Sequence, residues 1–76
     1  MEEKVPKPKV LKRVREARGE SLRELANMIG VHWSSISYWE NGIKEPRVKN
    51  RVKLAKLYNI PVEILFEEDN GQELPL

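Results

Sequence analysis

Seventy-six residues, with no cysteine and only one histidine (His32), allow one small domain with a few large core side chains. They exclude disulfides, thiolate metal sites and a histidine metal cluster. Hydrophobic residues at 39% and charged residues at 34% fit a surface-rich helical protein rather than a disordered one. The net charge of +2 hides a division: residues 4–56 hold all 14 Lys and Arg with five acids, whereas residues 57–76 hold five acids and no base. A basic body of this kind either attracts phosphate or is an ordinary solvated surface with an acidic solubilising end.

In chain order, Pro6 and Pro8 predict an extended arm over residues 1–8, because proline disfavours helix at and before its own position. Val10, Leu11, Val14 and Ala17 recur at the spacing of one helix face, and Gly19 ends that helix near Arg18. Ser21 to Glu24 reads S-x-x-E, a capping box that starts a second helix running from Leu22 to about Met28. Gly30 makes a turn, and a third helix runs from about Trp33 to Asn41, stopped by Gly42. After the loop before Pro46, a fourth helix over Val48–Tyr58 places Val48, Val52 and Ala55 on one face, widened by Leu54, Leu57 and Tyr58. A short fifth helix after Pro61 brings Val62, Leu65 and Phe66 to close the core. The domain therefore spans 9–67, and residues 68–76 form an acidic, flexible tail.

The middle of this order is the informative part. Leu25, Ile29, Val31, Ile36 and Trp39 fall where two short helices joined by a tight turn touch, with Ala26 at the crossing. That layout is a helix-turn-helix whose second helix is displayed to a partner, and duplex DNA has the best claim to be that partner. With Ile36 and Trp39 inward, Trp33, Ser34, Ser37 and Tyr38 project outward, flanked by His32 and Ser35. These four are the base-edge candidates, and none is the Arg, Asn or Gln that makes bidentate contacts to guanine or adenine. Readout is expected to lean on apolar contact and DNA shape. Phosphate contact is expected from the edges: the Leu22 and Arg23 amides at a helix N-terminus, His32, Ser35, Lys44 and Arg47. His32 is a poor N-cap, consistent with a phosphate contact or a loosened helix start. Lys49, Arg51, Lys53 and Lys56 read as a solvated helix face.

From Val10 to Phe66 the sequence resembles the lambda-repressor-like (Cro/XRE-type) helix-turn-helix family. The resemblance is carried by Arg15, SLRELA (Ser21–Ala26), Gly30-Val31, Ile36, W-E-N-G (Trp39–Gly42), Pro46, L-A-K-L (Leu54–Leu57) and I-P-V-E-I-L. It implies an all-α, compact five-helix domain with helices 2 and 3 as the motif. It further implies an ion pair between Arg15 and Glu40, backbone hydrogen bonding by Asn41, minor-groove proximity for Arg47, and a two-fold dimer on a palindromic operator. Leu22 departs from the pattern, since this position is often glutamine in the family.

The expected function is that of a sequence-specific DNA-binding regulator, a repressor, with double-stranded DNA and a second copy as partners. An antitoxin-like or adaptor module using Trp33, Tyr38 and Trp39 against another protein is the alternative. An enzyme is not expected, because no nucleophile–base pair, metal cluster or glycine-rich phosphate loop is present. No cofactor, metal or small-molecule ligand is expected. No apolar run approaches the ~20 residues of a membrane span and MEEKVPKPK lacks a signal core, so a cytoplasmic location is expected. Ile64, Phe66, Leu74 and Leu76 exceed what one small core needs and are the expected dimer surface.

Overall fold

The helix signals in the sequence become five helices in the computed structural model, which describes residues 7–75: α1 (Val10–Ala17), α2 (Leu22–Ile29), α3 (Trp33–Glu40), α4 (Val48–Tyr58) and α5 (Val62–Leu65). At the start of α2 the capping box is complete. The Glu24 amide donates to Ser21 Oγ (3.0 Å) and the Ser21 amide donates to Glu24 Oε1 (3.1 Å). At its end the Ala26 carbonyl accepts from the Gly30 and Val31 amides, with Gly30 at φ 77°, where a Cβ would be strained. The helix therefore runs one residue past Met28. Conversely, α3 ends at Glu40, with Asn41 as its C-cap.

The core gathers one stripe from each helix. Val10, Leu11 and Val14 of α1 meet Leu25, Ala26 and Ile29 of α2, Ile36 and Trp39 of α3, Leu54 and Tyr58 of α4, Ile60, and Leu65 of α5. Val31, Leu57, Ile64, Phe66 and Leu74 pack against this cluster. Ala17, expected on the buried face of α1, is exposed. The face expected for α4 is also corrected: Val48 is 70% and Val52 42% exposed, while Leu54 and Tyr58 are buried. The helix carries two apolar stripes, and the one with the larger side chains removes more area from water when turned inward. Lys53 and Arg51, expected to be solvated, are tied down. Lys53 Nζ donates to the Ile29 carbonyl (3.0 Å) and Arg51 Nε to the Pro46 carbonyl (2.8 Å).

The two ends of the described chain are joined. The Val10 amide donates to the Glu67 carbonyl, the Asp69 amide to the Pro8 carbonyl, and Lys9 and Glu68 form an antiparallel bridge. Beyond it, Arg13 Nη2 donates to the Gln72 carbonyl, and Arg13 Nε lies 3.4 Å from Asp69 Oδ1 without hydrogen-bond alignment. Lys7 Nζ donates to Asn70 Oδ1 (2.8 Å), and Leu74 reaches the core. The acidic segment expected to be flexible is thus laid along α1, because each of these bonds gives its chain a fixed partner. Leu76 and residues 1–6 of the arm lie outside the described residues.

Two polar networks cross the helices. Arg15 is 7% and Glu40 2% exposed; Arg15 Nε donates to Glu40 Oε2 (2.7 Å) and Nη2 to Oε1 (3.0 Å), a bidentate ion pair from α1 to the last residue of α3. Arg15 Nη1 also donates to the Glu20 carbonyl (2.7 Å), and the Glu40 carbonyl accepts from the Lys9 amide (2.7 Å). The hydrogen bond to Glu40 raises the Arg15 pKa against the opposing effect of burial. In the second network the buried Tyr58 hydroxyl donates to Glu20 Oε1 (2.7 Å) while the Arg18 guanidinium sits 4.9 Å from the Tyr58 ring centroid. Burial first, and Glu20 second, push the Tyr58 hydroxyl far above the usual phenol range. Removing one partner of a buried pair strands the other. Glu40→Gln is therefore expected to destabilise the fold by about 3 kcal/mol. Glu45→Gln, which touches only an exposed pair with Arg51 (3.5 Å), should stay within about 0.5 kcal/mol of wild type in denaturant unfolding.

Candidate nucleic-acid interface

Anchoring by Ile36 (0% exposed) and Trp39 (7%) fixes which side of α3 faces water. Trp33 and Tyr38 are 38% and 39% exposed, and Ser34, Ser35 and Ser37 are half-buried around them. Each exposed aromatic ring carries a cation from a neighbouring segment. The Arg23 guanidinium lies 5.6 Å from the Trp33 ring centroid, and Lys44 Nζ lies 5.0 Å from the Tyr38 ring centroid. Arg23 belongs to the first turn of α2 and Lys44 to the loop after α3, so the exposed side of α3 has positive charge at both ends. The Trp33 ring lies beside α2, under Arg23, and is tilted by 34° to the His32 ring at 5.5 Å.

His32 does serve as N-cap of α3. Its Nδ1 accepts from the Ser34 amide (3.2 Å) and lies 2.7 Å from Ser34 Oγ. At the other end of the helix, Asn41 turns inward on its own backbone, with Nδ2 donating to the Ser37 carbonyl (2.8 Å). One donor of Asn41 is thus committed to closing α3. At α2, Ser21 and Glu24 satisfy each other, so the Leu22 and Arg23 amides in the first turn have no intrahelical acceptor. The Leu22 side chain packs against the core. Arg47, the N-cap of α4, is exposed and its side chain makes no cap bond.

The structure therefore brings Arg23, His32, Trp33 and Ser34 together at the start of α3, and Tyr38, Asn41 and Lys44 at its end. Arg15 and Glu40 lie beneath the surface. Sequence reasoning missed the two cation–aromatic pairs and the His32–Ser34 contact. The second had a signal: an N-cap side chain bonds the amide two or three residues on, which singles out Ser34. The cation pairs join different segments and have no spacing rule.

Among the described residues no three His, Asp or Glu side chains are grouped to hold a metal ion, and no helix is long and apolar enough to cross a membrane.

Residues 11–65 match the family model described as helix-turn-helix, of the Cro/C1 type, and the chain belongs to that family. Among solved structures it is similar to the N-terminal DNA binding domain of SinR from Bacillus subtilis, with 30% sequence identity and a TM-score of 0.65 over 79% of this chain and 88% of that one. A comparison with curated proteins gives no match.

The two tryptophans of α3 differ in exposure, Trp33 at 38% and Trp39 at 7%. Iodide quenching of intrinsic fluorescence is expected to fall sharply in Trp33→Phe, leaving the shielded Trp39 emission. An unchanged quenching constant would show that Trp33 is not the exposed ring.

Proposed function

We propose that this protein is a sequence-specific DNA-binding transcription regulator, a repressor, that inserts α3 into the major groove and blocks a promoter by occupancy. The observation that carries this reading is the exposed face of α3, set between Arg23 and Lys44, in a chain of the helix-turn-helix family. The SinR domain, described as DNA binding, supports it. In this reading Trp33, Ser34, Ser37 and Tyr38 meet base edges. The free Leu22 and Arg23 amides take a phosphate at the positive end of α2, and Arg23, His32, Ser35, Asn41, Lys44 and Arg47 line the backbone path. Lys44 and Arg23 also hold the aromatic rings in place, so that Trp33 and Tyr38 offer preorganised apolar surface to thymine methyl groups or sugars. A cytoplasmic location, beside the DNA, accords with the same reading.

The protein acts on a palindromic site as a dimer. The fifth-helix surface expected from sequence is partly covered, since Ile64, Phe66 and Leu74 are partly buried against their own core. The unpartnered stripe is instead Val48, Val52 and Ala55 on α4, which continues to Pro61 and Val62 around one groove. Lys49, Lys56, Glu45 and Glu63 are exposed, so charges of both signs are available to the rim of a two-fold pairing. Val52→Glu should leave the melting temperature of the chain near wild type and shift its sedimentation to the monomer. An undisturbed dimer in that variant would remove this surface from consideration.

DNA binding itself is tested with genomic fragments over a salt series. Log affinity is expected to fall linearly with log salt, with a slope near −0.9 per phosphate contacted. Arg47→Ala should weaken selected and random duplexes alike and reduce the slope by about one, whereas Ser34→Ala with Tyr38→Ala should weaken the selected site roughly tenfold more than random DNA. Absence of salt-dependent binding, with a protein co-purifying, would favour an adaptor instead.

A further inference from the structure

The start of α3 contains a hydrogen-bond arrangement that restricts what Ser34 offers to a ligand. An N-cap side chain must accept, and the Ser34 amide points its hydrogen at His32 Nδ1 across 3.2 Å. A hydrogen on Nδ1 would face that amide hydrogen directly. Nδ1 is therefore the unprotonated nitrogen and Nε2 carries the hydrogen of the neutral ring. Ser34 Oγ lies 2.7 Å from the same Nδ1. Between a hydroxyl and a nitrogen that has no hydrogen, only the hydroxyl donates. The one in-plane lone pair of Nδ1 is shared by the two donors, and the hydroxyl makes the shorter contact (2.7 Å against 3.2 Å), so the single Ser34 hydroxyl proton is directed at His32.

The geometry points to His32 as a specificity-setting residue of α3: by taking the Ser34 hydroxyl proton it leaves Ser34 Oγ as an acceptor only, which selects a base with an exocyclic amino group. This rests on the reading of α3 as a DNA reader. In the major groove adenine N6 and cytosine N4 are donors, whereas guanine O6 and N7 and thymine O4 are acceptors. A free serine hydroxyl rotates to suit either set. Here the rotation is fixed, so a keto base sets two acceptors against each other. His32 acts through Ser34 and is a positioning residue; the base is touched by Ser34.

Protonation dismantles the arrangement. With a hydrogen on Nδ1 the ring can no longer accept from the Ser34 amide or hydroxyl, the cap is lost, and the freed hydroxyl rotates to suit either kind of base. The groups around the ring are the N-terminal turn of α3, the tilted Trp33 ring, and the shallow depression lined by Arg23, Ala26, Asn27 and Val31. Arg23 of α2 is the charged side chain there, held over Trp33, and Lys53 of α4 is committed to the Ile29 carbonyl.

His32 is the chain's only histidine, so its state is read without assignment. Nitrogen-15 NMR of the full chain at pH 8 is expected to show an unprotonated Nδ1 and a protonated Nε2; the opposite tautomer overturns the inference. Enrichment from random duplexes at pH 8 should then reveal one position with adenine or cytosine favoured roughly tenfold over guanine and thymine. Ser34→Ala should flatten that position alone. At a pH where the NMR titration shows His32 charged, the wild-type preference at that position should flatten toward that of Ser34→Ala. A keto preference at pH 8, no position that responds to Ser34→Ala, or a preference unmoved by protonation each overturns the role of His32 while leaving DNA binding intact. Failure to enrich any duplex overturns the DNA reading and this inference with it.

Discussion

The pose of α3 depends on the Arg15–Glu40 pair. Apolar contacts through Ile36 and Trp39 hold the helix against the core, yet such contacts are non-directional and tolerate rotation and sliding. A bidentate guanidinium–carboxylate pair does not, because both N–H···O bonds fail together when the planes turn. Glu40 is also where the chain start is attached, through the Lys9 amide, and Arg15 reaches the Glu20 carbonyl beside the start of α2. One buried pair thus references α1, the loop before α2 and the end of α3 to a common point. Desolvation of two charges offsets much of its attraction, so its contribution is geometric more than energetic.

On this frame the exposed side of α3 is chemically unusual for a groove reader. It offers a tryptophan ring, a phenol, three serine hydroxyls and an imidazole, with its positive charge borrowed from Arg23 and Lys44 on neighbouring segments. Charge on α2 and on the α3–α4 loop remains in register with α3 only while the helices keep their spacing, which is the reason for Ala26 at the crossing and Gly30 in the turn. The serine hydroxyls are half-buried, and that of Ser34 has a defined partner in His32.

Much of the fold was legible because local signals are self-contained. The Ser21–Glu24 box, Gly30, and the spacing of Ile36 and Trp39 specify starts, stops and faces without knowledge of the rest. Arg15 and Glu40 lie 25 residues apart and were paired only through the family resemblance. The stripe choice on α4 was not legible, since Val48–Val52 and Leu54–Tyr58 are both four-residue repeats and only the available space decides between them. The acidic segment was read as flexible from composition, which cannot show that Arg13, Lys7 and the Pro8 carbonyl are waiting for it. The outward set at α3 was legible as a surface, but not its internal bonding, because hydrogen-bond polarity is a property of rotamers.

The docked acidic segment has an effect on the electric field of the molecule. Acids on a loose tether wander over a basic surface and occupy it as an internal decoy for phosphate, lowering the effective affinity for any anionic partner. With Asp69 beside Arg13, and Asn70 and Gln72 bonded to Lys7 and Arg13, those charges are tied to the start of α1 rather than left on a loose tether. The result is a permanent dipole rather than a self-neutralising chain, and a permanent dipole turns the molecule during approach to a polyanion.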